Sequence, residues 1–203
     1  MEDILLGQTS CVILSAGSSE RMGQPKALLR FRNDELFIQK IIRTYIESGV
    51  KQIIVVVNIE LFNLIRELLQ PLSDNVEVIV NQFPERGRFF SLQLGVQNLK
   101  SGNYCFFQNI DNPFTSAEVL NLLNQFKKGA DVILPVFQSK SGHPVLINPA
   151  VVQKIIVQSD TSIRIDQFLK SFAFKKIEID ENRILTNINS PEDFTEAGLG
   201  KIE

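Results

Sequence analysis

Residues 14–29, Leu-Ser-Ala-Gly-Ser-Ser-Glu-Arg-Met-Gly-Gln-Pro-Lys-Ala-Leu-Leu, gather side chains that bind a polyanion. Gly17 and Gly23 let backbone N–H groups approach an anion closely. Arg21 and Lys26 place two cations on the same loop. The apolar run 11–14 leads into this loop and reads as a short buried strand. Together they suit the triphosphate of a nucleotide. The spacing is neither the Gly-x4-Gly-Lys-Ser/Thr of a P-loop nor the Gly-x-Gly-x-x-Gly of a dinucleotide fold. Solvated charge on an ordinary surface loop is the alternative reading.

Other residues are placed for related chemistry. Asp111 follows the apolar run 104–107 and precedes Pro113, which puts it at a strand's carboxyl end. One carboxylate, with phosphate oxygens and water, is a usual shell for Mg2+; an Asp-Asn-Pro turn is the competing reading. Asn58 and Asn81 each close an apolar run. Ser91 falls in the first turn of a predicted helix, either facing an anion or capping. Asn187 and Asn189 precede Ser190-Pro191 and read equally as metal or phosphate ligands and as the approach to a helix cap. His143, the single histidine, either shapes a pocket or sits in a plain turn. No Gly-x-Ser-x-Gly elbow exists, which sets aside a Ser-His-Asp hydrolase.

The elements that must position these residues alternate along the chain. Apolar runs at 11–14, 53–57, 76–80, 104–107 and 132–134 read as buried strands. Residues 35–48 put Phe37, Ile38, Ile41, Ile42, Tyr45 and Ile46 on one helical stripe, with Asn33 or Asp34 as cap and Gly49 beyond the end. Further helices are predicted at 61–69, 89–99, 118–126, 149–157, 163–169 and 191–197. Pro71 stops the first of these, and Pro149 and Pro191 suit a first turn. Such alternation predicts a Rossmann-like α/β domain with a mostly parallel sheet, its ligands beyond the strands' carboxyl ends. Residues 137–147 break the alternation and read as a loop or inserted hairpin on the substrate side.

Bulk properties narrow the classes. The 203 residues suffice for one domain over 1–203, and 44% apolar content is that of a globular chain. A net charge of -2 offers no field for nucleic acid or an anionic membrane surface. One histidine excludes a His-based zinc cluster. Cys11 and Cys105 lie in apolar runs and read as buried thiols of a reduced compartment. Residues 1–7 lack the basic start of a secretion signal, and no apolar run approaches ~20 residues. A soluble, cytoplasmic protein is expected.

Residues 14–29 resemble the signature Leu-Ala-Ala-Gly-x-Ser-x-Arg-Met-Gly-x-Pro-Lys-x-Leu-Leu of the MobA-like nucleotidyltransferases, which include the cytidylyl- and guanylyltransferases of molybdenum cofactor synthesis. Four further segments match in order. Asn81 and Gly87-Arg-Phe-Phe-Ser-Leu-Gln-Leu-Gly95 resemble Asn…Gly-Met-x-x-Ser-x-x-x-Gly. Ile110-Asp-Asn-Pro-Phe114 resembles Gly-Asp-Gln-Pro-Phe, and residues 142–146 resemble Gly-His-Pro-Val-Leu. Residues 187–193 resemble the closing Asn/Asp-Ile-Asn/Asp-Thr-Pro-Glu-Asp. Ile110 and Asn112 depart from this pattern, and the bulk of Ile110 is expected to crowd the metal or phosphate.

The resemblance implies a nucleotide-diphospho-sugar transferase type of three-layer fold. It implies Mg2+-dependent transfer of a nucleoside monophosphate to a phosphorylated acceptor, with release of pyrophosphate. Lys26 would then meet the α-phosphate and Arg21 the β- and γ-phosphates. Leu14, Ser15, Ala16 and Gly17 would line the nucleotide, Asn58 and Asn81 would reach base or ribose, and Ser91 would stand nearby. Asp111 with Asn189 would hold the metal, and His143 and Arg164 would face the acceptor. Pro25 before Lys26 resembles the CTP-using branch, so CTP with molybdopterin or its molybdenum form leads, and a receiving molybdoenzyme is a further implied partner. A sugar-phosphate nucleotidyltransferase and a non-catalytic nucleotide or cofactor binder stand as alternatives.

Overall fold

The computed structural model describes residues 9–32, 34–72, 74–100 and 103–200. In chain order, β1 (Thr9–Ser15) is followed by a small hairpin, β2 (Arg30–Arg32) with β3 (Glu35–Leu36), and by α1 (Phe37–Glu47). Then come β4 (Gln52–Asn58), α2 (Phe62–Leu69), β5 (Val76–Asn81), α3 (Gly87–Gln97), β6 (Tyr104–Asn109) and α4 (Ala117–Gln125). The last part holds β7 (Val132–Phe137), β8 (Lys140–Ser141), β9 (Val145–Ile147), α5 (Pro149–Ile156), α6 (Ile165–Leu169), β10 (Phe174–Glu178) and α7 (Pro191–Glu196).

The main sheet runs β10-β7-β9-β6-β1-β4-β5, with β8 attached to β7. β1 is central and parallel to both β4 and β6. Its seven residues are all buried, as a strand covered on both faces requires. Alternate side chains enter two cores. Cys11 and Ile13 join the core built with α1, α2 and α4, whereas Val12 and Leu14 join the core under α3, α5 and α6. This is an α/β fold of three layers, with a mostly parallel sheet between helices.

Local chemistry explains most boundaries. Asn148 and Ser190 accept from the N–H groups of Val151 and Asp193, capping helices that begin with proline. The predicted cap of the first helix is different. Asp34 lies in the turn of the β2–β3 hairpin at φ 62°, so residues 35–36 pair as a strand and α1 begins at Phe37. There the Leu36 N–H donates to Gln39 Oε1 at 3.0 Å. Asn33 lies outside the described residues.

β10 was not expected from the sequence. Its residues Phe-Lys-Lys-Ile-Glu bury only Ile177, because an edge strand needs one apolar contact and tolerates lysines on its free side. The irregular segment 137–147 resolves into the tight β7–β8 hairpin, a cis His143–Pro144 peptide and β9. β9 inserts antiparallel between β6 and β7. The chain reversal thereby carries His143 to the carboxyl end of β6.

Gly95 sets the distance between α3 and the sheet. A Cβ there would collide with Val12 Cγ1 and lie 3.2 Å from Val56 Cγ2. Both valines are fully buried on central strands and cannot retreat. Gly95→Ala gains about 1 kcal/mol of helix propensity but incurs an overpacking cost of about 1–3 kcal/mol, here at the upper end. Its thermal midpoint should fall by several degrees, at about 2–4 °C per kcal/mol for a chain of this size. A higher midpoint would show that α3 can slide away.

Candidate functional site

The loop after β1 is hung on buried anchors. Ser19 and Gly23 take left-handed conformations, φ 55° and 69°, on either side of a 3₁₀ turn at Glu20–Met22. Met22, Ala27 and Leu29 drop into the core. The Ser19 hydroxyl accepts from the Lys26 N–H at 3.3 Å, closing the loop across seven residues. With its apolar members fixed below, the loop has its charged members left at the cavity.

That cavity, of about 420 Å3, lies beyond the carboxyl ends of β1 and β6. Leu14, Ala16 and Gly17 form one wall, and Arg21, Lys26 and Arg88 bring positive charge to it. Lys26 Nζ donates to Asn189 Oδ1 at 2.7 Å and stands 4.0 Å from Asp111 Oδ2. The side chains of Lys26 and Asp111 are only 12% and 19% exposed, so this pair acts in a poorly screened setting. Asp111 Oδ1 is buried without a hydrogen-bond partner. Asn189 is not the helix cap, because Ser190 takes that role. The carboxylate of Asp193 holds the Asn189 N–H at 2.8 Å, leaving its amide oxygen turned to Lys26. Ile110 touches the cavity, yet it is 9% exposed and packs mainly into the core. Asn112, fully buried, donates to the Ile184 carbonyl and ties the Asp111 turn to the C-terminal segment.

Several predicted residues stand elsewhere. Asn81 is fully buried, donates to Ser91 Oγ at 3.0 Å and accepts from the Phe83 N–H, so it braces the cavity from beneath. Ser91, thus oriented, lines the cavity. Asn58 Oδ1 accepts from the Leu61 N–H ahead of α2 and lies outside the lining, as does buried Ser15. Asn187 is exposed and, among the described residues, bonds only the Leu185 carbonyl.

A second cavity, of about 700 Å3, adjoins the first, and Arg88 and Asn109 line both. Phe89, Phe107, Leu134 and Val145 form its apolar floor. Arg86, Arg164, Lys170 and Lys176 stand around it, with Asp166 the one carboxylate of the lining. His143 and Arg164 both line this second space. Arg164 is paired with Asp166 at 2.9 Å on the open surface. The Asn109 amide nitrogen faces His143 Nε2 at 3.0 Å. Burial holds the imidazole below its usual pKa, which keeps it neutral near pH 7. The sequence reading passed over Arg88 and Asn109. The signal for the former was an arginine where the resembled segment has methionine.

A family model, the MobA-like NTP transferase domain, matches residues 11–171. The chain belongs to this family. It is 27% identical to the molybdenum cofactor cytidylyltransferase of Escherichia coli (strain K12) over 191 residues, 92% of this chain and 94% of that one. A bifunctional IPC transferase and DIPP synthase of Thermococcus kodakarensis is 38% identical over 94 residues, 46% of this chain and 21% of that protein. The crystal structure of Rv0371c from Mycobacterium tuberculosis H37Rv superposes with a TM-score of 0.78 at 17% identity, covering 94% and 97% of the two chains. As a member of the MobA-like NTP transferase family, the protein is a nucleotidyltransferase. Among the described residues no helix is long and apolar enough to cross a membrane.

In this MobA-like chain the charge state of Lys26 is tuned. Burial lowers its pKa, Asp111 pulls it back up, and Arg21 and Arg88 lower it further. A base with a lowered pKa loses its proton earlier as pH rises. The alkaline fall of kcat/KM should therefore begin below the ordinary lysine range, and Lys26→Arg, which does not titrate there, should remove that limb. A pH–rate profile identical in the two proteins would assign the limb to another group.

Proposed function

We propose that this nucleotidyltransferase moves a nucleoside monophosphate, CMP from CTP in the first instance, onto a phosphorylated acceptor, molybdopterin or its molybdenum form. The observation carrying this reading is the pair of adjoining cavities. One holds Lys26, Arg21 and Asp111, and the other has an apolar, aromatic floor beneath a cationic rim. A flat fused ring with an anionic tail matches the second, and a triphosphate matches the first. Similarity to the cytidylyltransferase over nearly both whole chains supports the same pairing.

An acceptor phosphate oxygen attacks the α-phosphorus. The bond from that phosphorus to the bridging oxygen breaks, and pyrophosphate leaves with the electron pair. The nucleophile is already anionic, so the neutral His143 is not needed as a base. Lys26 stabilises charge on the α-phosphate oxygens, and Arg21 holds the departing phosphates in a planar fork. The donor set fits Mg2+. A single carboxylate with an unpartnered buried oxygen is available at Asp111, and among the described residues no cluster of three or more acidic, His or Cys side chains forms a complete cage. Asp111 with Asn189 would hold the ion, which would neutralise charge on the phosphates.

The test measures pyrophosphate release with Mg2+ and each of CTP, GTP, ATP and UTP, with molybdopterin, with its molybdenum form, with a sugar phosphate or without acceptor. Release with CTP only in the presence of the pterin supports the proposal. Release with the sugar phosphate alone would replace the acceptor.

A further inference from the structure

We propose that Arg88 is a specificity-determining residue that grips the attacking phosphate of the acceptor where the two cavities meet. This rests on the reading above, that the second cavity takes a phosphorylated acceptor. Arg88 and Asn109 are the two residues lining both spaces, and only Arg88 is charged.

Its freedom separates it from its neighbours. The Arg86 guanidinium donates to Thr161 Oγ1 at 2.7 Å and lies 3.8 Å over the Phe90 ring. Arg164 is engaged by Asp166. Lys170 and Lys176 line the acceptor cavity but not the nucleotide cavity. Among the described residues Arg88 forms no hydrogen bond, ion pair or ring contact, and it is exposed. Burial is the main cause that lowers the pKa values of Lys26 and His143, and the Arg88 charge adds the smallest contribution to each. Arg88 stands in the first turn of α3, which carries no acidic side chain to neutralise it.

The reaction explains the use of such a group. A phosphate must approach the α-phosphate of the nucleotide, anion against anion. A guanidinium between them offsets that repulsion. Its planar fork takes two oxygens of the acceptor phosphate and leaves the third free to attack. An acceptor attacking through a neutral hydroxyl gains little from this contact. The resembled segment has uncharged methionine here, so the device belongs to this chain.

Arg88→Met and Arg88→Lys test it in the full-length protein, loaded with Mg2+ and α,β-methylene-CTP. Inorganic phosphate is the probe, titrated by calorimetry. Wild type should bind one phosphate, Arg88→Met should bind it about 10–100-fold more weakly, as loss of a charge-assisted pair implies, and Arg88→Lys should recover part of the loss. Affinity for the CTP analogue should change less than about threefold in each variant. With molybdopterin as acceptor, the same substitution should lower kcat/KM for the acceptor by a similar factor. Equal phosphate binding in wild type and Arg88→Met overturns the proposal, as does no phosphate binding to wild type. An equal loss for the CTP analogue would assign Arg88 to the nucleotide instead. If no phosphorylated acceptor supports pyrophosphate release in wild type, the reading of the function fails, whereas the phosphate titration still decides the role of Arg88.

Discussion

Lys26→Ala should lower kcat by about 10²–10³-fold, the loss seen when one preorganised charge donor is removed from a transition state. CTP affinity should fall far less. The reason is the position of the ammonium. It is held by Asn189 at 2.7 Å and by Asp111 at 4.0 Å in a largely buried setting, so it needs no reorganisation when charge develops. Ground-state binding is shared with Arg21 and the backbone of the loop. Steady-state rates compared with the calorimetric Kd for CTP separate the two effects. Unchanged turnover would remove Lys26 from the chemistry, and a matching loss in affinity would make it a binding group. Ala27 and Leu29 still anchor the loop in the variant, so its fold should persist.

The second large effect is expected at Asp111→Asn. The substitution keeps shape and removes one negative charge beside Lys26. It also places an amide nitrogen where an unpartnered carboxylate oxygen stands. Loss of a metal's contribution, several kcal/mol, corresponds to a fall of about 10³-fold or more in turnover. Mn2+ binding in the presence of CTP, followed by electron paramagnetic resonance, should weaken in parallel. Full Mn2+ affinity with low turnover would mean that Asp111 serves Lys26 rather than a metal. Full turnover would remove it from the site.

The core elements were legible because apolar periodicity is a local property. β1, β4, β5, β6 and β7 lie over the predicted runs, extended by residues such as Ser15, Gln108 and Asn109 that the central sheet buries. The helices follow their stripes, and α5 and α7 begin at the predicted prolines. β10 escaped because a single buried Ile177 carries no period. Asp34 misled because a good capping residue also suits a left-handed turn position, and pairing between β2 and β3 decided between them.

Residue type and spacing by themselves determined the glycine- and cation-bearing loop, the alternating α/β layers and the carboxyl-end position of Asp111. Each depends on neighbours in the chain, on glycine, cation and apolar spacing within about one element. Tertiary structure alone decided which polar groups are free. Asn81 and Asn58 were plausible ligands by position, yet their side chains are used to brace Ser91 and to start α2. Asn189 meets Lys26 across 163 residues. Arg88, in the first turn of α3, shares the lining of the second cavity with Asn109 and with the His143 that antiparallel β9 brings back beside it. Such contacts join distant segments, and whether a side chain is taken or left open depends on the packing that brings them together.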